Sequence, residues 1–289
     1  MNGVTYIFLS YGKLAAIHKQ TLAAICSLVL TKRNAEAPYR IRLYTEMPEY
    51  YAWLGDQVDV QTLSPHQIKE WMGLSSFSLR VKPCLLIEAA RSCSGPMIFL
   101  DSDMVIVKSL NGMERAIQEG SSFLQCKEYL VSSRTTKERR EFMRRLKGLD
   151  LGSGVALDED SWMWNSGVIG LSTKNFHYLD LILSAIDRMT EMGLSPRTRL
   201  KEQLAFSLYL SATGCLRGLG DEVLHYWGNK PEWDGFLDSW LLSVVGQKLD
   251  MVEAGRLLLS MQPFPAAVAP KRSKSEKRKA KIRKLLRLD

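Results

Sequence analysis

The chain has 289 residues, 46% hydrophobic and 24% charged, which excludes collagen-like, wholly disordered and multi-span membrane proteins. That length suits one large α/β domain or two small ones. The net charge is +8, but ten basic residues and two acids fall within residues 271–289, so the tail carries all of it and the first 270 residues are neutral. A neutral body argues against a nucleic-acid-binding core, which would spread positive charge over the fold.

The longest apolar run, residues 22–30, is too short for a membrane span. No basic leader precedes the apolar residues 3–9, so a strand is expected there and not a secretory signal. The five cysteines form no CxxC pair, and their odd number predicts free, mostly buried thiols in a reducing, cytoplasmic compartment.

In chain order, a strand is predicted over residues 4–10, with Tyr11-Gly12 as its exit. Leu22, Ile25, Cys26 and Val29 predict a helix over residues 18–31. Strands follow at 40–45 and 58–63, and a helix starts at Pro65. Residues 82–91 predict another helix, with Pro83 in the first turn, where its missing N–H does no harm. Gly95-Pro96 then leads into a wholly apolar strand at 97–100. This β-α-β-β-α-β order predicts an α/β sheet containing parallel strands. Beyond it, the pattern predicts a basic amphipathic helix over 134–149 and a strand over 164–171. Helices at 174–192 and 199–210 and a strand at 223–227 complete it. One domain is expected over 1–265, then a proline-containing linker and basic tail over 266–289.

The strongest local feature is IFLDSDMVIV at residues 98–107. Asp101 and Asp103 sit two residues apart at the end of an apolar strand, where open α/β sheets bind ligands. In extended backbone, residues i and i+2 point the same way, so both carboxylates can face one divalent cation. The stretch HYWGNKPEW at 225–233 adds His225, a candidate imidazole ligand, Gly228 for close backbone approach and Lys230 for phosphate. WNSGV at 164–168 offers the Asn165 amide, which can both donate to and accept from sugar hydroxyls, and KEQLAF at 201–206 offers Glu202 and Gln203.

The ordered set resembles the nucleotide-sugar glycosyltransferases of the GT-A fold and is most similar to glycosyltransferase family 8. It comprises an apolar first strand, RVKP at 80–83, the DSD at 101–103, WNSGV, EQ-x-x-F and H-x-x-G-x-K-P, spanning roughly residues 4–235. The resemblance implies a Rossmann-type mixed sheet flanked by helices. It implies Mn2+ or Mg2+ held by Asp101, Asp103 and His225 on the diphosphate of a UDP-sugar. Gly228 and Lys230 would contact the phosphates. Leu9, Ser10 and Tyr11 would lie beside base and ribose, Ser102 within the donor site, and Arg80 and Lys82 over the donor. Asn165 and Gln203 would border the transferred sugar, with Gln203 and Lys230 serving the reaction. It also implies a glycan or glycolipid acceptor and retention of anomeric configuration. Glu202 stands where family members often carry Asp.

Two other protein classes share part of this pattern. A haloacid-dehalogenase-type phosphatase also places DxD after an apolar strand, but usually near the N-terminus, and it leaves WNSGV and HYWGNKP unexplained. A nucleic-acid-binding protein would use the tail and the 134–149 helix, but lacks a basic face interleaved with aromatics. In the tail, Ile282, Leu285 and Leu286 share a helical face within a basic arc, which predicts peripheral docking on an anionic inner membrane surface.

Overall fold

The computed structural model describes residues 3–33, 37–133, 136–194 and 200–268. The basic tail therefore lies outside the described residues, as do parts of the predicted 134–149 and 199–210 helices.

The first half alternates as expected. Strand β1 (Val4–Ser10) leads into α1 (Ala15–Thr31), then β2 (Tyr39–Thr45), β3 (Asp59–Thr62), α2 (Pro65–Met72), α3 (Val81–Ser92) and β4 (Met97–Leu100). There follow β5 (Met104–Ile106), α4 (Asn111–Gln118), β6 (Ser122–Leu124), β7 (Lys127–Leu130) and α5 (Lys137–Leu146). Next come β8 (Trp162–Trp164), β9 (Val168–Leu171), α6 (Tyr178–Glu191) and α7 (Leu200–Ser211). The described chain closes with β10 (Leu216–Gly218), β11 (Val223–His225), α8 (Lys230–Gln247) and α9 (Met251–Ser260).

Seven strands form the central sheet in the order β10-β6-β9-β4-β1-β2-β3. β1 runs parallel to β2 and β4, and β2 parallel to β3, while β9 is antiparallel to β4 and β6. Strand alternation divides the core between the two faces. Tyr6, Phe8, Ile98 and Leu100 pack with α1, α8 and α9 on one side. Ile7, Met97 and Phe99 pack with α3, α6 and α7 on the other. The chain leaves β1 on one side to form β2 and returns later as β4 on the other. The carboxyl ends of β1 and β4 therefore border a topological switch point, the crevice where such sheets bind ligands.

The predicted 164–171 strand is two strands in different sheets. β8 pairs with β7, and β9 pairs with β4 and β6. Between them the Gly167 N–H donates to Asn165 Oδ1 at 2.9 Å, a side-chain turn that interrupts the ladder. Residues 266–268 still pack on the start of α8: the Ala266 carbonyl accepts from Asn229 Nδ2 and Trp233 Nε1. Of the cysteines, all are free, Cys26 and Cys84 are buried, and Cys126 is exposed.

Candidate active site

The DSD segment is the three-residue link between β4 in the main sheet and β5, which pairs antiparallel with β11. That pairing sets Met104 opposite His225, and the Tyr226 N–H donates to the Asp103 carbonyl at 3.1 Å. Residues far apart in sequence are thus fixed by backbone ladders. Asp101, Asp103 and His225 each offer a ligand atom, all within 4.8 Å of one another.

Second contacts orient these groups. His225 Nδ1 lies 2.6 Å from Gln125 Oε1, an acceptor, so Nδ1 carries a proton. Nε2 then faces Asp103 Oδ1 at 3.3 Å, and a proton or a cation must lie between these two atoms. Two carboxylates and an imidazole with its far nitrogen already engaged form a donor set that fits Mn2+ or Mg2+. Gly167 makes room for the ring: a Cβ there would lie 2.6 Å from His225 Cε1 and 2.5 Å from Met104 Cε.

The charges around these candidate metal ligands are interlocked. Lys230 opens α8 and places Nζ 2.8 Å from Asp103 Oδ2. Buried Lys82 lies behind Asp101, at 3.1 Å from Oδ1, and within 3.5 Å of Glu202 Oε1. Burial pushes the Asp103 carboxyl up, but hydrogen bonds and charge from His225 and Lys230 prevail and hold it well below the usual range. Burial pushes Asp101 up despite Lys82, and the Asp103 charge adds to the rise. Burial likewise raises Glu202 against the pull of Lys82. It would lower Lys82, but Asp101 and Glu202 outweigh it and hold the ammonium protonated.

These groups line a cleft of about 590 Å³ with Leu9, Tyr11, Ser102, Asn165, Gln203 and Trp227. The lining includes four carboxylates (Asp101, Asp103, Glu128 and Glu202) and two lysine ammonium groups (Lys82 and Lys230). The two lysines match two of the four carboxylates, and a bound divalent cation would offset the others when they are ionised. Three predicted residues lie elsewhere. Ser10 is buried and accepts from the Tyr51 hydroxyl at 2.6 Å. Gly228 packs on Val268. Arg80 forms a two-pronged pair with Asp187, Nε–Oδ1 2.7 Å and Nη2–Oδ2 2.8 Å, so its guanidinium is engaged with α6.

Glu128 is the residue that sequence reasoning missed. It accepts from Asn165 Nδ2 at 2.9 Å and from Gln203 Nε2 at 2.7 Å. Among the described residues it is the one cleft carboxylate without a lysine or histidine partner. It stands on a three-to-four-residue ribbon with no motif around it. Its one signal is that Asn165 and Gln203, both singled out as sugar-site amides, converge on it.

No family model matches the chain, and no curated protein matches it in sequence. Its α/β fold is shared with a solved structure of a glycosyltransferase. It is similar to the apo structure of WbbM, a bifunctional glycosyltransferase, with TM-score 0.54 and 12% identity. The match covers 91% of this chain and 50% of that one, so the chain spans half the length of WbbM. The fold thus agrees with the GT-A expectation, and nothing in this likeness singles out family 8.

Proposed function

We propose that the protein is a metal-dependent glycosyltransferase that moves a sugar from a nucleoside-diphosphate donor, with uracil as the base, to an acceptor hydroxyl. One observation carries this reading. At the switch point of a glycosyltransferase-type sheet, Asp101, Asp103 and His225 converge on one position, with Lys230 beside it.

Asp101, Asp103 and His225 would hold Mn2+ or Mg2+, which when bound supplies charge to the departing diphosphate. Lys230, more than half exposed and reaching into the cleft, adds a second positive charge at the phosphates as the glycosidic bond breaks. Leu9 and Tyr11, at the end of β1, face the nucleoside. Asn165 and Gln203 border the transferred sugar, and through Glu128 they fix a carboxylate that accepts from a sugar hydroxyl. Lys82, itself nearly buried, offsets part of the burial that works against charge on Asp101 and Glu202. Retention of configuration and a glycan or glycolipid acceptor at a membrane surface belong to the same reading and rest on the family resemblance. No helix among the described residues is long and apolar enough to cross a membrane.

The test is a donor screen. The protein is incubated with each common nucleotide sugar and Mn2+, and released nucleotide is measured without acceptor. Release from a UDP-sugar that needs Mn2+ and disappears in Asp103→Ala supports the reading. No release from any donor, or equal release by Asp103→Ala, refutes it.

A further inference from the structure

A second cavity, of about 330 Å³, lies beside the ribbon formed by β7 and β8. Its wall carries Trp162 and Trp164, two residues apart on β8 and therefore on one face of that strand. Trp162 is 39% exposed. Lys127, from β7, holds its ammonium 5.0 Å from the Trp162 ring centroid and 5.4 Å from that of Trp164. Exposed Asp158 and Asp160 and the Ser211 hydroxyl line the remainder. Neither aspartate has a cationic partner among the described residues.

The combination selects one ligand chemistry. The Trp162 indole, the exposed one of the pair beside buried Trp164, favours a ligand with a flat apolar surface. A rim with both donors, Lys127 and Ser211, and acceptors, Asp158 and Asp160, favours a ligand bearing hydroxyls, which need both. A cationic ligand is disfavoured, because Lys127 already supplies the cation at the two indole rings. A purely apolar ligand would strand the charged rim. A sugar ring, with its C–H face and hydroxyl edge, meets all of these conditions.

The cavity is also placed for an acceptor chain. Lys127 in the slot and Glu128 in the cleft are neighbours on β7, and Trp164 and Asn165 are neighbours at the end of β8. On α7, Gln203 lines the cleft while Ser207 and Ser211 line the slot. Spacings of four keep these residues along one helix face, and eight residues at the helical rise span roughly 12 Å. A short oligosaccharide can cover that distance.

We propose that this slot is a second saccharide subsite, which holds a sugar of the acceptor chain beyond the one in the cleft. The acceptor role rests on the transferase reading, whereas saccharide binding by the slot does not. The test is retention of the full chain on an immobilised library of defined oligosaccharides, two to eight residues long. Wild type is compared with Trp162→Ala and with Ser211→Arg, which fills the slot from an exposed helix position. Nucleotide release from the donor without acceptor is measured on the same preparations. The expected result is retention of a subset weighted to longer chains, at least tenfold weaker binding by one or both variants, and unchanged nucleotide release. Retention of no oligosaccharide by wild type, or wild-type binding by both variants, overturns the proposal. Slot-dependent glycan binding without nucleotide release from any donor leaves the slot standing and removes the transferase reading. Nucleotide release with slot-independent binding does the reverse.

Discussion

Gly167→Ala tests the geometry of the metal ligands without removing one. The added methyl would stand 2.6 Å from His225 Cε1, 2.9 Å from its Nδ1 and 2.5 Å from Met104 Cε. Carbon atoms in good contact are about 3.5–4.0 Å apart, so something must give by about 1 Å. The Met104 methyl is the end of a flexible chain and can turn aside. The His225 ring cannot move as freely, because Gln125 holds Nδ1 at 2.6 Å and the ring is nearly buried. Moving it loses that hydrogen bond, about 1 kcal/mol, on top of the strain of an overpacked site, about 1–3 kcal/mol. A loss of about 2–4 kcal/mol corresponds to a fall in Tm of roughly 3–7 °C for a chain of this size. The same displacement pulls Nε2 away from the position it shares with Asp101 and Asp103. Disturbing a group that orients a metal ligand typically costs about 10–100-fold in metal affinity. Thermal melting, with calorimetry of Mn2+ and UDP binding, reads both effects. A Gly167→Ala protein with wild-type Tm and wild-type Mn2+ affinity would show that His225 does not occupy this position, and the metal assignment would go with it.

Other perturbations address separate parts of the molecule. Asp103→Ala is expected to abolish Mn2+-dependent UDP binding in calorimetry while Tm stays within a few degrees, since Lys230 has water to turn to. Glu128→Gln is expected to lower kcat/KM for transfer to acceptor by about 10–100-fold, the worth of a charge-assisted hydrogen bond, with Mn2+ affinity unchanged; full transfer activity would remove Glu128 from the sugar site. Lys201 is fully buried against Phe77, with Thr190 Oγ1 at 2.7 Å and no carboxylate bound to it among the described residues, and burial lowers its pKa. Its native form gives up its proton more readily than the unfolded chain, so stability rises with pH from the lowered pKa toward the ordinary lysine value. Lys201→Met should flatten that rise and leave Tm at neutral pH unchanged or higher; a loss above about 1 kcal/mol would contradict this. For the basic tail, full-length protein should sediment with anionic vesicles at low salt and a chain ending at Pro270 should not, since each basic residue contributes on the order of 1 kcal/mol near such a surface. Equal sedimentation of the two would dismiss the tail as a membrane device.

The elements legible in the sequence were those whose burial writes a period into the chain. β4 is wholly apolar and β1 mostly so because both faces of the sheet are covered, and α1 carries Leu22, Ile25, Cys26 and Val29 at helical spacing within a stretch that is buried all round. β6 and β10 have three residues each, too few to display an alternation. α8 is different, because its signal was present and unread. Trp233, Leu237, Trp240 and Val244 follow helical spacing and all are buried, after a start at Lys230 with Pro231 in the first turn.

The site divides along the same physical line. Asp101, Asp103, His225 and Lys230 were legible because two acids beside an apolar strand need a cation, and the residue types of the 225–233 stretch supply what a metal and phosphates need. Their neighbours act by position and not by type. Gln125 fixes a tautomer, Gly167 leaves space for a ring, and Lys82 balances charge from behind. Gln125 and Gly167 are residue types that occur throughout a chain without such a role, and the pairings of β5 with β11 and of β7 with β8 help bring them to the candidate ligands, whereas Lys82, already visible in RVKP, reaches Asp101 from α3. Arg80 shows the converse. In its RVKP setting it was expected over the donor, yet Asp187, 107 positions away, satisfies two of its N–H groups and the Trp71 carbonyl another. For the guanidinium to reach a donor phosphate it would have to break a two-pronged, partly buried ion pair. Lys230 is the more available cation of the two, since its ammonium is more than half exposed and already lines the cleft.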